Sequence, residues 1–252
     1  MEISLKDKII LLTGGSRGIG AAIAHKLAEA GAELAIQYGR SRAAAEQLAA
    51  ELKTTVHLFQ CDFTDASAVH HLADNVYDQL GRIDVLVNNA GVALAESDDL
   101  SWEDWQMLWE QSLQVNLVAT AALSRSCVKK MRGQGSGRLI HISSRAAFRG
   151  DTAEYLAYAS SKAGMVALSR SLARAYGKDG IKSFVIAPGF VETDMAQQFI
   201  EEYGREYVLD DLALGELTQA ADIAPTVLFL ASGWMDHATG CSIDINAGSY
   251  VH

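Results

Sequence analysis

Tyr158 and Lys162 stand four apart in a run with helical spacing, so they share one face of a helix. A tyrosine hydroxyl titrates near ~10 and is a poor base at neutral pH. A lysine charge about 4 Å away, at an effective dielectric near 20, is worth roughly 4 kcal/mol. That corresponds to up to about 3 pK units at ~1.4 kcal/mol each. Burial acts the other way, so the expectation is a smaller, still downward, movement toward the range useful for proton transfer. The plainer alternative is an exposed pair on a helix surface. Ser143 and Ser144 close the apolar run 137–143. A serine there can hydrogen-bond and polarise a carbonyl, or simply cap a loop. Asn116 falls inside the helical stretch 101–132, where asparagine is a poor choice. A buried asparagine at such a place implies a task other than supporting the helix.

A second group of residues suits a phosphate. Thr13-Gly14-Gly15-Ser16-Arg17-Gly18-Ile19-Gly20 follows the apolar run Ile9–Leu12 and precedes a helical pattern with Ile19, Ile23, Leu27 and Ala30 on one face. Glycines accept positive φ and carry no Cβ to block a ligand. The helix start behind them leaves N–H donors unpaired, with a partial positive charge. The spacing is G-x-x-x-G-x-G rather than G-x-G-x-x-G, so the stretch alone marks an anion site or a glycine-rich helix start. Asn88-Asn89-Ala90-Gly91 follows Val85-Leu86-Val87 and reads as a turn or as backbone approaching a ligand. Pro188-Gly189-Phe190-Val191-Glu192-Thr193 follows the run 181–187 and offers backbone groups and a hydroxyl to a planar amide. Asp62 could accept from an adenine amino group or cap the helix that starts near Asp65.

The elements that must position these residues alternate. Strands are expected at 8–13, 32–38, 55–60, 83–88, 137–143, 181–187 and 240–246, and helices at 18–30, 42–53, 66–80, 101–132, 153–177 and 219–232. The strands are short and almost wholly apolar, as in a parallel sheet covered on both faces. Strand–helix alternation of this kind predicts an α/β fold: a single-domain, doubly wound, Rossmann-type sheet of about seven parallel strands flanked by helices. Gly31, Gly81 and Gly180 are placed to end helices. Ser101-Trp102-Glu103-Asp104 reads as a capping box with Asp in the acidic place. Residues 190–218 carry helical pieces without a strand, at the carboxyl edge of the sheet, and are a candidate substrate lid within one domain spanning 1–252.

Bulk properties narrow the classes. With 49% hydrophobic and 21% charged residues the chain is ordinary for a globular domain. A net charge of −10 argues against nucleic acid, which needs a basic face. No apolar run approaches a membrane span and no signal peptide is evident, so a cytoplasmic protein is expected. Cys61, Cys127 and Cys241 are odd in number and lack metal-ligand spacing. They read as reduced structural thiols, and no metal site is expected.

Taken in order, these motifs resemble the classical short-chain dehydrogenase/reductase family. The set is TGGSRGIG at 13–20, Asp62, NNAG at 88–91, Asn116, Ser144, YxxxK at 158–162, PGFVET at 188–193, and the ending around Thr239-Gly240 and Asn246-Ala247-Gly248. In length and detail the chain is most similar to the 3-oxoacyl-acyl-carrier-protein reductases and their carbonyl-reductase relatives. The resemblance implies that Tyr158 exchanges a proton with a carbonyl oxygen, Ser144 holds that oxygen, Lys162 lowers the Tyr158 pKa and binds the nicotinamide ribose, and Asn116 anchors a water in a proton relay. It implies a nicotinamide dinucleotide held by Gly14, Ser16, Arg17, Gly18, Ile19, Gly20, Tyr38, Arg40, Ser41, Asp62, Phe63, Asn89, Ala90, Gly91, Tyr158, Lys162, Pro188, Gly189, Val191 and Thr193. The Ser144–Tyr158 separation is one longer than the family pattern, implying a one-residue insertion. Tyr155 lies seven before Lys162, the spacing of the enoyl-reductase branch. The glycine pattern and Ser144 favour Tyr158 as the acid, with Tyr155 a pocket residue.

Enzymes of this fold that use NAD usually place an acid at the end of the second strand. Tyr38 stands there, with Arg17, Arg40, Ser41 and Arg42 nearby, which suits a 2′-phosphate and predicts NADP(H) over NAD(H). Arg40 and Arg42 could instead be solvated residues at a helix start. Arg145 and Arg149 are expected to rim the site, facing an acidic lid with Glu192, Glu201, Glu202, Asp210, Asp211 and Glu216. Asp179 stands where the resemblance implies a basic carrier-protein contact, so the fatty-acyl substrate is one candidate among small ketones and sugar or cyclic alcohols. An NAD(H)-linked dehydrogenase and a non-catalytic NADP(H)-binding regulator are the rival readings. The resemblance also implies a homotetramer, with 101–132 and 153–177 in one interface and the C-terminal strand region in another.

Overall fold

Short apolar runs become strands and the amphipathic runs between them become helices. The structure, a computed structural model, describes residues 3–193, 200 and 204–251. Strands β1 (Ile9–Thr13), β2 (Glu33–Tyr38), β3 (Val56–Gln60), β4 (Val85–Asn88), β5 (Gly137–Ile142), β6 (Ile181–Pro188) and β7 (Ser242–Ile245) form one seven-stranded sheet in the order β3-β2-β1-β4-β5-β6-β7. Every pairing is parallel. The helices are α1 (Gly18–Glu29), α2 (Arg42–Glu51), α3 (Ala66–Leu80), α4 (Trp102–Leu113), α5 (Ala119–Gln134), α6 (Ala146–Arg149), α7 (Leu156–Tyr176), α8 (Arg205–Asp210) and α9 (Ala220–Ser232).

The two-residue period of each strand sends alternate side chains into two cores. Ile10, Leu12, Val85 and Val87 pack with Ile23 and Leu27 of α1 and Val227 and Leu230 of α9. Leu11, Leu86 and Leu139 face the other way, onto Val69 and Val76 of α3 and Leu123 and Met131 of α5. Burying such a side chain fully is worth about 1.5–3 kcal/mol, so a one-residue slip of a central strand would be heavily penalised. Strand order reverses between β1 and β4, and their carboxyl ends open the crevice in which ligands of open α/β sheets bind.

Several expectations shift in detail. The stretch 101–132 is not one uniform helix: α4 and α5 are joined by a π-helical turn at Gln114–Val118 that contains Asn116. The final strand is shorter than 240–246, and 153–177 opens with a 3-10 turn at Ala153–Tyr155 before α7. Ser101 Oγ accepts from Asp104 N at 3.1 Å, but Asp104 Oδ2 takes the Ser101 hydroxyl proton at 2.7 Å, so the box is not reciprocal. A complete box forms instead at Gln219 and Asp222. Gly31, Gly81 and Gly180 all have left-handed backbone, as expected of helix ends. Among the described residues no helix is long and apolar enough to cross a membrane.

Candidate active site

The glycine turn is stitched to both flanking strands. Thr13 Oγ1 accepts from Asn89 N and Ala90 N, each at 3.0 Å. Asn89 Nδ2 donates back to Thr13 O at 3.0 Å and Gly14 O at 2.9 Å. Gly14 N donates to Gln37 Oε1 at 2.8 Å, and Gln37 Nε2 donates to Cys61 O at 2.6 Å. Gly14 has φ +61°, and a Cβ on it would lie 2.8 Å from Ala90 Cα. Only glycine lets the two loops meet so closely. α1 then begins behind Arg17, with no side-chain cap and no acidic residue in its first turn. A helix start left in this way presents N–H donors and positive potential to an anion, so these residues fit a dinucleotide pyrophosphate.

At the edge of β2, Tyr38 is buried and Arg40 is exposed. Arg40 Nε lies 4.0 Å from Asp62 Oδ2. Arg42 Nε donates to Glu46 at 2.8 Å along α2, so Arg42 is a helix-surface partner, as in the plainer reading. Ser41 caps α2 by accepting from Ala44 N at 3.4 Å. Asp62 does not cap α3; Asp65 does, accepting from Ser67 N and Ala68 N. Asp62 Oδ1 instead accepts from the Thr64 amide and hydroxyl, which hold its carboxyl below the usual range. Phe63 is buried, and its carbonyl accepts from Gln114 Nε2 at 3.2 Å, tying the β3 loop to the π-helical turn.

That turn places Asn116 beside Gly91, outside the residues that line the cavity. Asn116 is fully buried; its Oδ1 accepts from Val92 N at 2.8 Å, and its Nδ2 donates to Val92 O and Ser161 Oγ, both at 2.9 Å. Both amide hydrogens are thus committed to bracing the turn after Gly91 and to α7. A Cβ on Gly91 would sit 3.1 Å from Asn116 Oδ1 and 3.3 Å from Lys162 Nζ, so backbone threads between the two side chains.

α7 supplies Tyr158, Ser161 and Lys162. Lys162 is 4% exposed and donates from Nζ to Ile142 O at 2.9 Å. Ser143 Oγ donates to Lys162 O at 3.0 Å, which makes Ser143 a structural tie. The Tyr158 hydroxyl meets Ser144 in a hydrogen bond, and the two share a cavity with Tyr155 and Phe190. Electrostatics overturn one expectation. Burial dominates and pushes Tyr158 up to about 12; the Ser144 bond works the other way and Asp151 adds to the rise. Burial also drives Lys162 down to about 8. The through-space benefit expected from Lys162 does not figure among the causes at Tyr158, and loss of solvent sets the direction at both groups.

β6 and the turn beyond it complete the wall. Pro188 O accepts from Arg145 N at 2.9 Å, and a Cβ on Gly189 would lie 2.8 Å from Asn246 Cα. Val191 forms a parallel bridge with Thr218, and Thr193 Oγ1 donates to Val191 O at 3.2 Å. Arg145 lines the cavity, as expected of the rim, and Arg149 is not among the lining residues. Both donate to Asp211, at 2.6 and 2.9 Å, and pin the end of α8 to the loop after β5. Of the expected lid, residues 194–199 and 201–203, with Glu201 and Glu202, lie outside the described residues. Gln37, Ser161 and the clasp on Asp211 were not singled out from the sequence. A glutamine interrupting Leu34-Ala35-Ile36 at a carboxyl strand end was the available signal for the first.

The short chain dehydrogenase family model matches residues 8–204. The chain belongs to the short-chain dehydrogenase/reductase family. It is an oxidoreductase. A 3-oxoacyl-[acyl-carrier-protein] reductase of Aquifex aeolicus is 34% identical over 253 residues, covering 99% of this chain and all of that protein. A short chain dehydrogenase of Burkholderia cenocepacia, solved with NADP, superposes with TM-score 0.89 at 33% identity, covering 97% of this chain and 98% of that one. An NADPH-dependent 3-quinuclidinone reductase of Rhodotorula rubra superposes equally well at 30% identity, covering 98% of this chain and 93% of that one. Among the described residues no His, Cys, Asp and Glu cluster could hold a metal.

Proposed function

We propose that this protein is an NADP(H)-dependent reductase that interconverts a carbonyl and a secondary alcohol. The observation that carries the reading is one cavity lined both by the Ser144–Tyr158 pair and Lys162 and by Ile19, Asn89 and Gly91 of the dinucleotide crevice. Gly14–Gly20 would hold the pyrophosphate, Asn89–Gly91, Pro188, Gly189, Val191 and Thr193 the nicotinamide half, and Asp62 and Phe63 the adenine. Arg17, Arg40 and Ser41, with Tyr38 in place of an acid, would receive the 2′-phosphate. The nicotinamide supplies a hydride when bound.

The chain's own groups handle the proton. A phenol held near 12 is protonated at neutral pH, so Tyr158 gives its proton to the carbonyl oxygen during reduction. Ser144 donates to the same oxygen and fixes its place. Lys162, dry and tethered to Ile142 O, offers its remaining donors to the ribose hydroxyls and stabilises the charge left on Tyr158. Asn116 holds the backbone beside the relay water that the family resemblance implies. The substrate is a small or acyl-chain ketone; both an acyl thioester and a cyclic amino ketone are turned over by proteins named as relatives. The enzyme works in the cytoplasm as a homotetramer, consistent with three free thiols and with exposed Trp102, Met107 and Trp234.

Oxidation of NADPH and of NADH, followed over a panel of 3-oxoacyl thioesters and cyclic ketones, tests this reading. NADPH should be preferred; a tenfold preference for NADH in kcat/KM, about 1.4 kcal/mol, refutes the 2′-phosphate assignment. Tight NADPH binding without any turnover favours a regulator. Tyr158→Phe should lower kcat by about 10²–10⁴-fold while Tyr155→Phe retains turnover, and the reverse result reassigns the acid. Light scattering that gives a monomer mass excludes the tetramer.

A further inference from the structure

The loop from β4 to α4 carries a buried carboxylate that the proton chemistry does not use. Glu96 is only 9% exposed. Its Oε2 accepts two indole N–H groups, Trp105 Nε1 at 2.9 Å and Trp109 Nε1 at 3.2 Å. Those tryptophans are four apart on α4 and therefore share a face. Their rings pack 5.3 Å apart, and Trp102 stacks on Trp105 at 4.9 Å. The other oxygen, Oε1, accepts the backbone N–H of Ala157 at 3.4 Å. Glu96 N also donates to Glu154 O at 2.8 Å, which fastens the loop to the turn leading into α7.

Ala157 lies in the first turn of α7, next to Tyr158. A helix start leaves four N–H groups without helical partners, and a side chain normally takes one or two of them. Here the N-cap residue, Tyr155, provides no side-chain bond. The acceptor comes from sixty-one residues away, and its negative charge complements the helix dipole. The two indoles fix the direction of that carboxylate, so hydrogen bonds through Glu96 tie the α4 face, the loop and the first turn of α7 together.

We infer that Glu96, clamped by Trp105 and Trp109, is a positioning residue that sets the first turn of α7 and thereby the placement of the Tyr158 hydroxyl against Ser144. This rests on the assignment of Tyr158 as the proton donor. A neutral amide cannot reproduce the arrangement. Glutamine has one acceptor oxygen, so its NH₂ would confront either the indole donors or Ala157 N–H.

The test uses the intact enzyme and Glu96→Gln. Per NADPH-binding site, kcat should fall about tenfold with the NADPH Kd nearly unchanged, because only the proton donor has moved. The alkaline limb of the pH–kcat profile, which Lys162 sets, should move to lower pH as a negative charge leaves the start of α7. Amide exchange in the peptide covering 153–161 should quicken at least about fivefold, while that of 165–173 stays protected. Glu96→Asp keeps the charge one methylene short, and should fall between the two and retain the wild-type pH profile; it also serves where the glutamine variant does not fold. Unchanged exchange at 153–161 overturns the cap. Faster exchange with wild-type kcat and pH profile overturns the positioning role. If wild-type enzyme reduces no ketone, the carbonyl-reductase reading fails instead, and exchange still decides whether Glu96 holds α7.

Discussion

His141 should make this protein acid-labile by a calculable amount. It sits on β5 beneath the site, fully buried, between Asn88 Nδ2 and Ser183 Oγ, each 3.2 Å from a ring nitrogen. Burial, with a smaller contribution from Lys162, drives its pKa from 6.5 down to about 3. A depressed pKa means that the unfolded chain binds the proton more tightly. The associated stability is fully present above 6.5 and drains away as the pH falls toward 3. From about pH 7.5 to pH 5 the unfolded histidine passes through roughly 1.5 decades of protonation while the folded one stays neutral. At ~1.36 kcal/mol per decade this is about 2 kcal/mol, a large share of a typical stability of about 5–15 kcal/mol. Urea unfolding of wild type and His141→Asn at the two pH values, at one protein concentration, isolates the effect. Wild type should lose about 2 kcal/mol more than the variant, whatever the other six histidines and the carboxylates contribute to both. A difference below about 0.5 kcal/mol would show that His141 is protonated, or reaches water, in the folded protein.

Other perturbations separate holding from chemistry. Gly14→Ala places a Cβ 2.8 Å from Ala90 Cα at φ +61°. NADPH binding measured by titration should weaken at least about tenfold, whereas Gly39→Ala, with nothing within 4 Å, should bind normally. Asp211→Asn leaves Arg145, 6% exposed, without its carboxylate. Because Asp211 itself is 38% exposed, the loss should be about 1–2 kcal/mol rather than the fully buried figure. It should appear as faster proteolysis near 205–215 and a raised KM. Asn116→Ala removes three hydrogen bonds at once and should lower both the unfolding temperature and kcat, and normal kinetics would refute the bracing role.

The sheet was legible in the sequence because its strands are short, apolar and bounded by glycine. Runs such as Val85-Leu86-Val87 must be covered on both faces, and that requirement alone implies crossover helices. The π-helical turn was not legible. Nothing in the periodicity of 101–132 distinguishes one extra residue per turn from a uniform helix. Asn116 was the only local hint, and its meaning depended on Val92 and Ser161, which the chain brings together from 24 and 45 residues away. Arg145 was legible only in outline. Its place on the rim and the acidic segment it faces could be read from the sequence, but not that Asp211, 66 residues later, is the carboxylate that folds onto it.

Charge and burial at Tyr158 show where spacing stops being informative. Four-residue spacing on a helix fixes which side chains are neighbours, and that much held. It does not fix how much water reaches them, and solvent decides the sign of the shift. With Lys162 4% exposed and Tyr158 lining the same cavity, loss of solvent is the first cause at both groups and neither gains from the other, so the phenol rises and the amine falls. The two shifts drive the pKa values apart, from 10.0 and 10.5 to about 12 and about 8, and reverse their order: the phenol holds its proton longer than the ammonium does. A site arranged in this way keeps Tyr158 loaded as an acid across the neutral range, while Lys162 begins to lose its charge near pH 8. Reduction should therefore decline on the alkaline side through Lys162, well before Tyr158 itself titrates. An alkaline limb in kcat that persists unmoved in Lys162→Arg, whose guanidinium stays charged throughout, would assign that limb elsewhere.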